Sequence, residues 1–271
     1  MIKSINRDEL RDRVRAAEPY PYFCIDGFLD EAFASRVHDA FPTYEEATKV
    51  GKSFRAVNEK GKVQVTDSST FAAPVAELNG ALASHEFRDT LSYAFDIPDL
   101  LADDELVGGG IHQTGPRGHL DVHVDFNYIP QRGLHRRLNI LIYFNEGWKP
   151  EWGGNIELWD KDVKLCPGSF SPVFNRCVVF ETSDISYHGV SAVKCPAGQA
   201  RKSFAAYYYT KEAPPNWDGR TRSTVFKARP DEVLKGKVFM PLERAERNVR
   251  SAVRGLGRMV KSIARGRRPR G

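Results

Sequence analysis

Apolar and polar residues alternate strictly over residues 119–127. The apolar positions are Leu120, Val122, Val124 and Phe126, and the polar positions are His119, Asp121, His123, Asp125 and Asn127. A period of two is typical of a β-strand, whose successive side chains point to opposite faces. The pattern therefore predicts a strand from which His123 and Asp125 project side by side, placed so that both can reach one metal ion. A half-buried antiparallel strand with a polar outer face would show the same alternation.

Helical periodicity dominates the first hundred residues, and short strands dominate the next hundred. Helices are predicted at about residues 5–18, 30–41, 74–83 and 85–95, a short strand at 22–25, and loop and edge structure at 42–68. Residues 115–118 are predicted to be a turn, and further strands are predicted at 138–145, 156–160, 174–180 and 201–209. We therefore expect a mainly β fold with supporting helices, built as an antiparallel barrel or sandwich.

The charge is unevenly distributed along the chain. Residues 241–271 carry a net charge of +8, whereas the rest of the chain carries −3. The pI near 9.0 therefore gives no reason to expect the body to bind nucleic acid. Within the tail, an apolar stripe with helical spacing runs between arginines: Val249, Val253, Leu256, Val260 and Ile263. It predicts a helix packed on the body, a peripheral contact with an anionic membrane surface through residues 241–265, or, least favoured, a nucleic-acid contact.

The cysteines and the apolar runs indicate a cellular compartment. The chain contains Cys24, Cys166, Cys177 and Cys195, widely spaced and without a CxxC motif. This spacing predicts reduced, structural thiols. The first residues show no apolar run typical of a secretory signal, and no run approaches the length of a membrane-spanning helix. We therefore expect a cytoplasmic protein.

Two later segments add candidate chemistry to the strand at residues 119–127. His188 follows an apolar strand, and Arg201 and Ser203 share one face of the alternating segment 201–209. A strand face with so many charged and polar residues is unlike an inert core, because buried charges must be paired or bind a metal. The sequence therefore predicts a site between strands.

These residues, taken in order, resemble the Fe(II)- and 2-oxoglutarate-dependent dioxygenases, and within them the prolyl-4-hydroxylase-like branch. The resemblance covers about residues 105–210 and is carried by the segments HLDVHVDFN, RRLNILIYFNEGW, GGNIELWD, FNRCVVFETSDISYHGV and RKSFAAYYYT. It implies a double-stranded β-helix, or jelly roll. The expected organisation is helical support at 1–104, an oxygenase core at 105–212, an extension at 213–240 and a basic tail at 241–271.

The resemblance also implies the metal centre and the reaction. His123, Asp125 and His188 would be the catalytic ligands of Fe(II), as in the facial triad of two histidines and one carboxylate. 2-Oxoglutarate and O2 would be cosubstrates, with succinate and CO2 released, and ascorbate is a candidate reductant. Asp125 argues against a halogenase, because that class lacks this ligand.

The binding of 2-oxoglutarate is implied in the same way. Arg201 would hold the 5-carboxylate in a charge-assisted pair, and Ser203 and Tyr143 would add hydrogen bonds. Gln113 lies where some relatives carry a tyrosine that contacts 2-oxoglutarate. His119 and Asp121 are expected to surround the metal ligands without binding the metal themselves.

The substrate is the least determined part of the prediction. Residues expected near the mouth of the site are Asn127, Arg136, Arg137, Trp152 and Trp159, and residues 127–136 are a candidate lid. His112 and His135 are expected to have no special role. The favoured function is hydroxylation of an unactivated C–H bond in the manner of a prolyl hydroxylase. The alternatives are a small-molecule oxygenase acting on a sugar or amino acid, and a non-catalytic jelly roll that binds a metal or ligand.

Overall fold

The computed structural model describes residues 1–215, 217–232, 235 and 240. Met1–Lys227 form one compact unit, and the fold and site described below belong to it. In the second unit, Ala228–Gly271, Glu232 forms ion pairs with Arg229 and Lys235. The predictions made for the basic tail at 241–271 lie outside the described residues. Within the described part of the chain, no helix has both the length and the apolar character needed to cross a membrane.

Helices cover one side of the molecule. They are α1 (Arg7–Ala16), α2 (Glu31–Ala40), α3 (Tyr44–Val50), α4 (Ala73–Ala83) and α5 (His85–Phe95), with 3-10 turns at Ser68–Thr70 and Pro150–Trp152. Four of the α-helices confirm the predicted ones, and Asn6 caps α1. The prediction of loop and edge structure at 42–68 is wrong at α3. This helix is too short to show a period, but Thr43 and Glu46 cap it reciprocally.

The strands form one curved antiparallel sheet. They are β1 (Tyr22–Asp26), β2 (Lys52–Arg55), β3 (Glu59–Val65), β4 (Leu101–Ala102), β5 (Gly110–Val124), β6 (Tyr128–Ile129), β7 (Leu134–Tyr143), β8 (Ile156–Trp159), β9 (Gly168–Phe170), β10 (Arg176–Glu181), β11 (Tyr187–Val190), β12 (Arg201–Thr210) and β13 (Val225–Phe226). The main order is β1-β10-β7-β12-β5-β11-β8-β9. The first half of β5 pairs with β12 and the second half with β11. This arrangement is the predicted double-stranded β-helix, in which β5 belongs to both halves of the curved sheet.

The predicted turn at residues 115–118 lies inside β5, so that prediction is wrong. Opposite it, Lys60 of β3 pairs with His119 and Lys62 pairs with Thr114, so residues 115–118 bulge out of the ladder. Arg117 adopts a positive φ of 64° there. Glycine and proline therefore mark a β-bulge, which changes the face of each following side chain without ending the strand.

The hydrophobic core lies between the helices and the outer faces of strands β7, β10 and β12. Helix residues Leu10, Phe33, Leu78 and Leu91 belong to one buried cluster together with Ile140, Ile142, Val179 and Phe204 of the strands. Tyr208 of β12 donates a hydrogen bond to the backbone carbonyl of Leu82 at the end of α4. This packing fixes β7, β10 and β12 from outside, so their inner faces can carry polar residues. All four cysteines are free thiols.

Candidate active site

A cavity of about 420 Å³ opens inside the curved sheet. It is lined by side chains of β5, β7, β11 and β12, and at its rim by β3 and β13. Its walls contain the predicted residues His123, Asp125, His188 and Arg201. The structure therefore brings these four predicted side chains together in one cavity.

Two histidines and one aspartate converge at one end of the cavity. His123 lies directly opposite His188 in the β5–β11 ladder, and their ring centres are 4.3 Å apart. The Nε2 atom of His123 lies 3.5 Å from Oδ1 of Asp125, and Nε2 of His188 lies 3.4 Å from Oδ2. The ligand atoms of these residues all lie within 4.8 Å of one another, a grouping that can hold a metal ion.

Both imidazoles are oriented by backbone carbonyls. Nδ1 of His123 lies 2.8 Å from the carbonyl oxygen of Asp121, and Nδ1 of His188 lies 2.9 Å from that of Ser186. A carbonyl only accepts hydrogen bonds, so each Nδ1 must be the protonated nitrogen. In the neutral form of each ring, Nε2 then presents its lone pair to the centre, which is the tautomer that a metal requires. Burial, and then the neighbouring His123, lower the pKa of His188 and keep it neutral.

Asp125 is held by two further side chains of β7. Its Oδ2 accepts a hydrogen bond of 2.8 Å from Nδ2 of Asn139 and lies 3.0 Å from a guanidinium nitrogen of Arg136. Burial alone would raise the pKa of Asp125, but Arg136 and then His188 outweigh it and hold the pKa well below its usual value. The carboxylate is therefore ionised, as a metal ligand must be.

Arg201 lies at another part of the cavity wall and is almost fully buried. It donates to the carbonyl of Gly154 over 2.6 Å, to the hydroxyl of Tyr143 over 3.2 Å and to that of Ser203 over 3.4 Å. Burial lowers the pKa of Arg201 and raises the pKa of Tyr143 to about 12. Within the described residues, no carboxylate forms an ion pair with Arg201. A buried cation surrounded by neutral groups is suited to an incoming anion.

The donor set fits the groups that the resemblance implies. Two neutral imidazoles and one carboxylate are the ligands typical of non-haem Fe(II). Arg201, which can bind an anion, lies in the same cavity as the metal-binding group of His123, Asp125 and His188. This arrangement matches a dicarboxylate that chelates iron at one end and binds Arg201 at the other. Tyr143 and Ser203 lie beside Arg201 as predicted.

Several predicted positions are corrected by the structure. Gln113 does not face the cavity, because its side chain donates to the backbone carbonyl of Pro42; His112 and Thr114 line the cavity instead. β5 changes register at residues 115–118, a shift that the resemblance does not reveal. Leu120 also lines the cavity, on the same side as His123, because the register of β5 shifts again between these two residues.

The predicted mouth residues divide into two groups. Arg136 lines the cavity, whereas Arg137, Trp152 and Trp159 are absent from its wall. Asn127 is bonded to the backbone of residues 220 and 222. Residues 127–136 form a hairpin through β6 and β7, and their role as a lid stays a prediction. His119 lies at the rim, 3.6 Å from Asp121, outside the metal-binding group as expected.

Some wall residues escaped the sequence analysis. His112 is buried and lies 3.0 Å from the amide of Gln64, and burial lowers its pKa well below 6.5. Phe226 of β13 lies opposite His123 in the ladder, with ring centres 5.4 Å apart. Nothing in the local pattern identified Phe226, because β13 has two residues and lies about a hundred residues from its partner strand.

Comparisons with known proteins agree with this geometry. The family model of the 2OG-Fe(II) oxygenase superfamily matches residues 109–209. Prolyl 3-hydroxylase OGFOD1 of Mus musculus is 33% identical over 78 residues, 27% of this chain and 14% of that protein. Its Xenopus laevis counterpart is 33% identical over 86 residues, 30% of this chain and 17% of that protein. The chain thus spans less than a fifth of the length of these relatives.

Solved structures show the same fold. A Pseudomonas putida prolyl-4-hydroxylase superposes with a TM-score of 0.54 at 17% identity, over 73% of this chain and 97% of that one. A Trichoplax adhaerens prolyl hydroxylase, solved with a peptide fragment of the hypoxia inducible factor oxygen degradation domain, gives 0.54 at 14% identity, over 75% and 90%. At these identities the likeness concerns the fold.

Proposed function

We propose that the protein is a 2OG-Fe(II) oxygenase that hydroxylates an unactivated C–H bond of a prolyl residue in a peptide, because residues 109–209 match the model of that superfamily. Membership of the superfamily implies Fe(II), 2-oxoglutarate and O2, and we propose that succinate and CO2 are released. Ascorbate as a reductant stays a prediction. The observation that carries this proposal is the convergence of His123, Asp125 and His188 in the same cavity as the unpaired Arg201.

Each polar residue has a defined task in this proposal. His123, Asp125 and His188 would hold Fe(II), and this donor set is the one that suits binding of 2-oxoglutarate and O2 to the metal. Arg201 holds the 5-carboxylate, and Tyr143 supports it with a neutral hydroxyl because its pKa is about 12. When bound, the iron and its cosubstrates supply the oxidation of the C–H bond. The protein contributes binding, orientation and exclusion of water.

The walls beside the metal end support an aliphatic substrate. Leu120, Phe126, Tyr207 and Phe226 all line the cavity there. Aliphatic and aromatic side chains of this kind suit a saturated ring such as that of proline. Polar residues, among them Lys62, Gln64 and Thr114, line the same cavity. The curated relatives are named as prolyl 3-hydroxylases, and one neighbour of the same fold was solved with a peptide. These observations favour a peptide over a sugar, although a free amino acid would share much of the chemistry.

The first test is anaerobic. Fe(II) and then 2-oxoglutarate are added to the full chain, and the weak visible metal-to-ligand charge-transfer band of the chelate is measured. We expect the band in the wild type and in His119→Ala, a matched control at the cavity rim, and its loss in His123→Ala. Absence of the band from folded wild type at saturating ligand would overturn the oxygenase proposal and favour a non-catalytic binding module.

The second test addresses the substrate. Proline-containing peptides, free amino acids and sugars are incubated with the loaded enzyme, and succinate release and the gain of one oxygen atom are followed by mass spectrometry. We expect oxygen to be added to a prolyl residue of a peptide. Oxidation of a free amino acid or sugar alone would contradict the peptide assignment but leave the oxygenase class in place.

A further inference from the structure

One buried arginine of the cavity is not used by the proposed chemistry. Arg136 belongs to β7 and its side chain is 3% exposed. Its Nε and one terminal nitrogen both donate to Oδ1 of Asn139, over 3.0 and 2.8 Å. The same terminal nitrogen lies 3.0 Å from Oδ2 of Asp125, and Asn139 donates to this same oxygen. The two β7 side chains therefore form a bracket around one carboxylate oxygen.

Aromatic rings fix the orientation of this bracket. The guanidinium carbon of Arg136 lies 3.6 Å from the ring centre of Tyr207 and 4.6 Å from that of Phe126. Stacking on a planar guanidinium restricts its rotation. The position of Arg136 is thus determined by groups other than the carboxylate that it contacts.

The two oxygens of Asp125 consequently differ. Oδ2 accepts a hydrogen bond from Asn139 and forms an ion pair with Arg136, both of β7. Each oxygen also lies near one imidazole, Oδ1 at 3.5 Å from Nε2 of His123 and Oδ2 at 3.4 Å from Nε2 of His188. Within the described residues, the hydrogen bond and the ion pair from β7 both go to Oδ2 and neither goes to Oδ1. A carboxylate held in this way offers one oxygen, and not both, to a metal.

We propose that Arg136, fixed by Asn139, is a positioning residue that occupies Oδ2 of Asp125 and restricts this ligand to a single metal–oxygen bond. The inference rests on the proposed function. Two histidines and one singly bound carboxylate leave three of six positions open on Fe(II), which 2-oxoglutarate and O2 need. If both oxygens of Asp125 bound the metal, only two positions would stay open, and chelation by 2-oxoglutarate would fill them.

The adjacent arginine provides a matched control. Arg137 follows on the same strand and is similarly buried, but it points out of the cavity towards Thr210 and Glu181. Arg136→Met and Arg137→Met therefore remove the same side chain at neighbouring positions of β7. Asn139→Leu is a second variant that keeps the Arg136 charge and removes one donor to Oδ2 together with the acceptor that fixes the guanidinium.

The experiment separates metal binding from 2-oxoglutarate binding. Each full-length variant is first titrated with Mn(II), followed by electron paramagnetic resonance. The protein is then loaded anaerobically with Fe(II) and titrated with 2-oxoglutarate, followed by the charge-transfer band. Altered contacts behind a metal ligand typically change affinity about 10- to 100-fold. We expect at least about a tenfold loss of 2-oxoglutarate affinity in Arg136→Met, a loss in the same direction in Asn139→Leu, and less than about a twofold change in Arg137→Met.

The other outcomes are equally informative. Unchanged 2-oxoglutarate titrations in both Arg136→Met and Asn139→Leu would overturn the inference, and so would a loss confined to Mn(II) binding. An equal loss in Arg137→Met would overturn it as well, because it would show a general effect of losing a buried arginine. If the wild type itself gave no charge-transfer band, the proposed function would fail, which is distinguishable from a wild-type band that persists unchanged in the variants.

Discussion

Arg136 and Arg201 are two arginines of the same cavity, and their surroundings differ in one respect. Both are nearly inaccessible, with 4% and 3% of their surface exposed. Arg136 contacts the carboxylate of Asp125, whereas the partners of Arg201 are the carbonyl of Gly154 and the hydroxyls of Tyr143 and Ser203. Equal burial imposes a similar loss of hydration on both cations. Within the described residues, Arg136 recovers it through a charged group and Arg201 does not, so the surroundings of Arg201 suit an anionic ligand.

The largest effect that follows from this comparison concerns stability without ligands. Arg136→Met leaves the buried Asp125 without its cation and should lower the free energy of unfolding by about 3–5 kcal/mol. Arg201→Met removes a cation that has no carboxylate partner and should lower it by less than about 1 kcal/mol, or raise it. Urea denaturation of the metal-free proteins measures both. Equal losses of unfolding free energy in the two variants would contradict the proposed difference between Arg136 and Arg201.

For the binding of 2-oxoglutarate the order should be reversed, and the loss of Arg201 should have a larger effect than the loss of Arg136. Arg201→Met removes one partner of a buried, charge-assisted pair, which typically costs about 2–4 kcal/mol. We expect the affinity of the Fe(II)-loaded protein for 2-oxoglutarate to fall by about 30-fold to 1,000-fold. Titration of the charge-transfer band checks this, with Lys202→Met, the next residue on β12, as the control. An affinity within threefold of wild type would show that the anion binds elsewhere.

His112 sharpens the comparison because, unlike the arginines, it can lose its charge. Burial lowers its pKa well below 6.5, so the unfolded chain binds a proton below about pH 6.5 that the folded chain does not. Stability should therefore fall as the pH drops below this value, by at most about 1.4 kcal/mol per pH unit for this one group. In His112→Leu, the slope of the unfolding free energy against pH should lack the contribution of this one proton. Identical slopes in urea denaturation at pH 5–7 would contradict the burial of a neutral imidazole.

Tyr143 should give the smallest effect. Its hydroxyl accepts from Arg201 in the absence of ligand, and Tyr143→Phe removes one neutral hydrogen bond, worth about 0.5–1.5 kcal/mol. We expect the affinity for 2-oxoglutarate to fall by about two- to tenfold. Because the pKa of Tyr143 is about 12, this contribution should be constant between pH 7 and 9. A strong pH dependence in that range, absent from Tyr143→Phe, would assign a charged role to the hydroxyl.

Most of this site could be predicted from the sequence because its residues come in pairs that are two positions apart on one strand. His123 and Asp125 are two positions apart on one strand, and Arg201 and Ser203 are two apart on another, so a period of two was sufficient to place each pair. His188 needed the resemblance as well, because its partner strand lies 65 residues earlier. The double-stranded β-helix followed from the same order of segments.

Other parts required the three-dimensional structure. The resemblance associated Gln113 with 2-oxoglutarate, but its side chain donates to the carbonyl of Pro42, and the bulge at 115–118 was predicted as a turn. The bracket formed by Arg136 and Asn139 depends on the fold that brings β7 against Asp125. Phe54 of β2, which pairs with β3, and Phe226 of β13, which pairs with β5, reach the cavity from short strands placed by the whole barrel. Local periodicity carries no information about such contacts.

The short strand β13 has a practical consequence for protein engineering. It pairs with β5 beside His123, and the backbone of residues 220 and 222 is bonded to Asn127. Thr224 and Phe226 thus line the cavity although they follow the segment at residues 109–209 that matches the oxygenase family. A minimal fragment cut to that segment would lose part of the cavity wall. Conversely, chimeras that exchange only residues 217–227 would test whether this segment sets the proposed substrate preference while leaving the candidate metal ligands untouched.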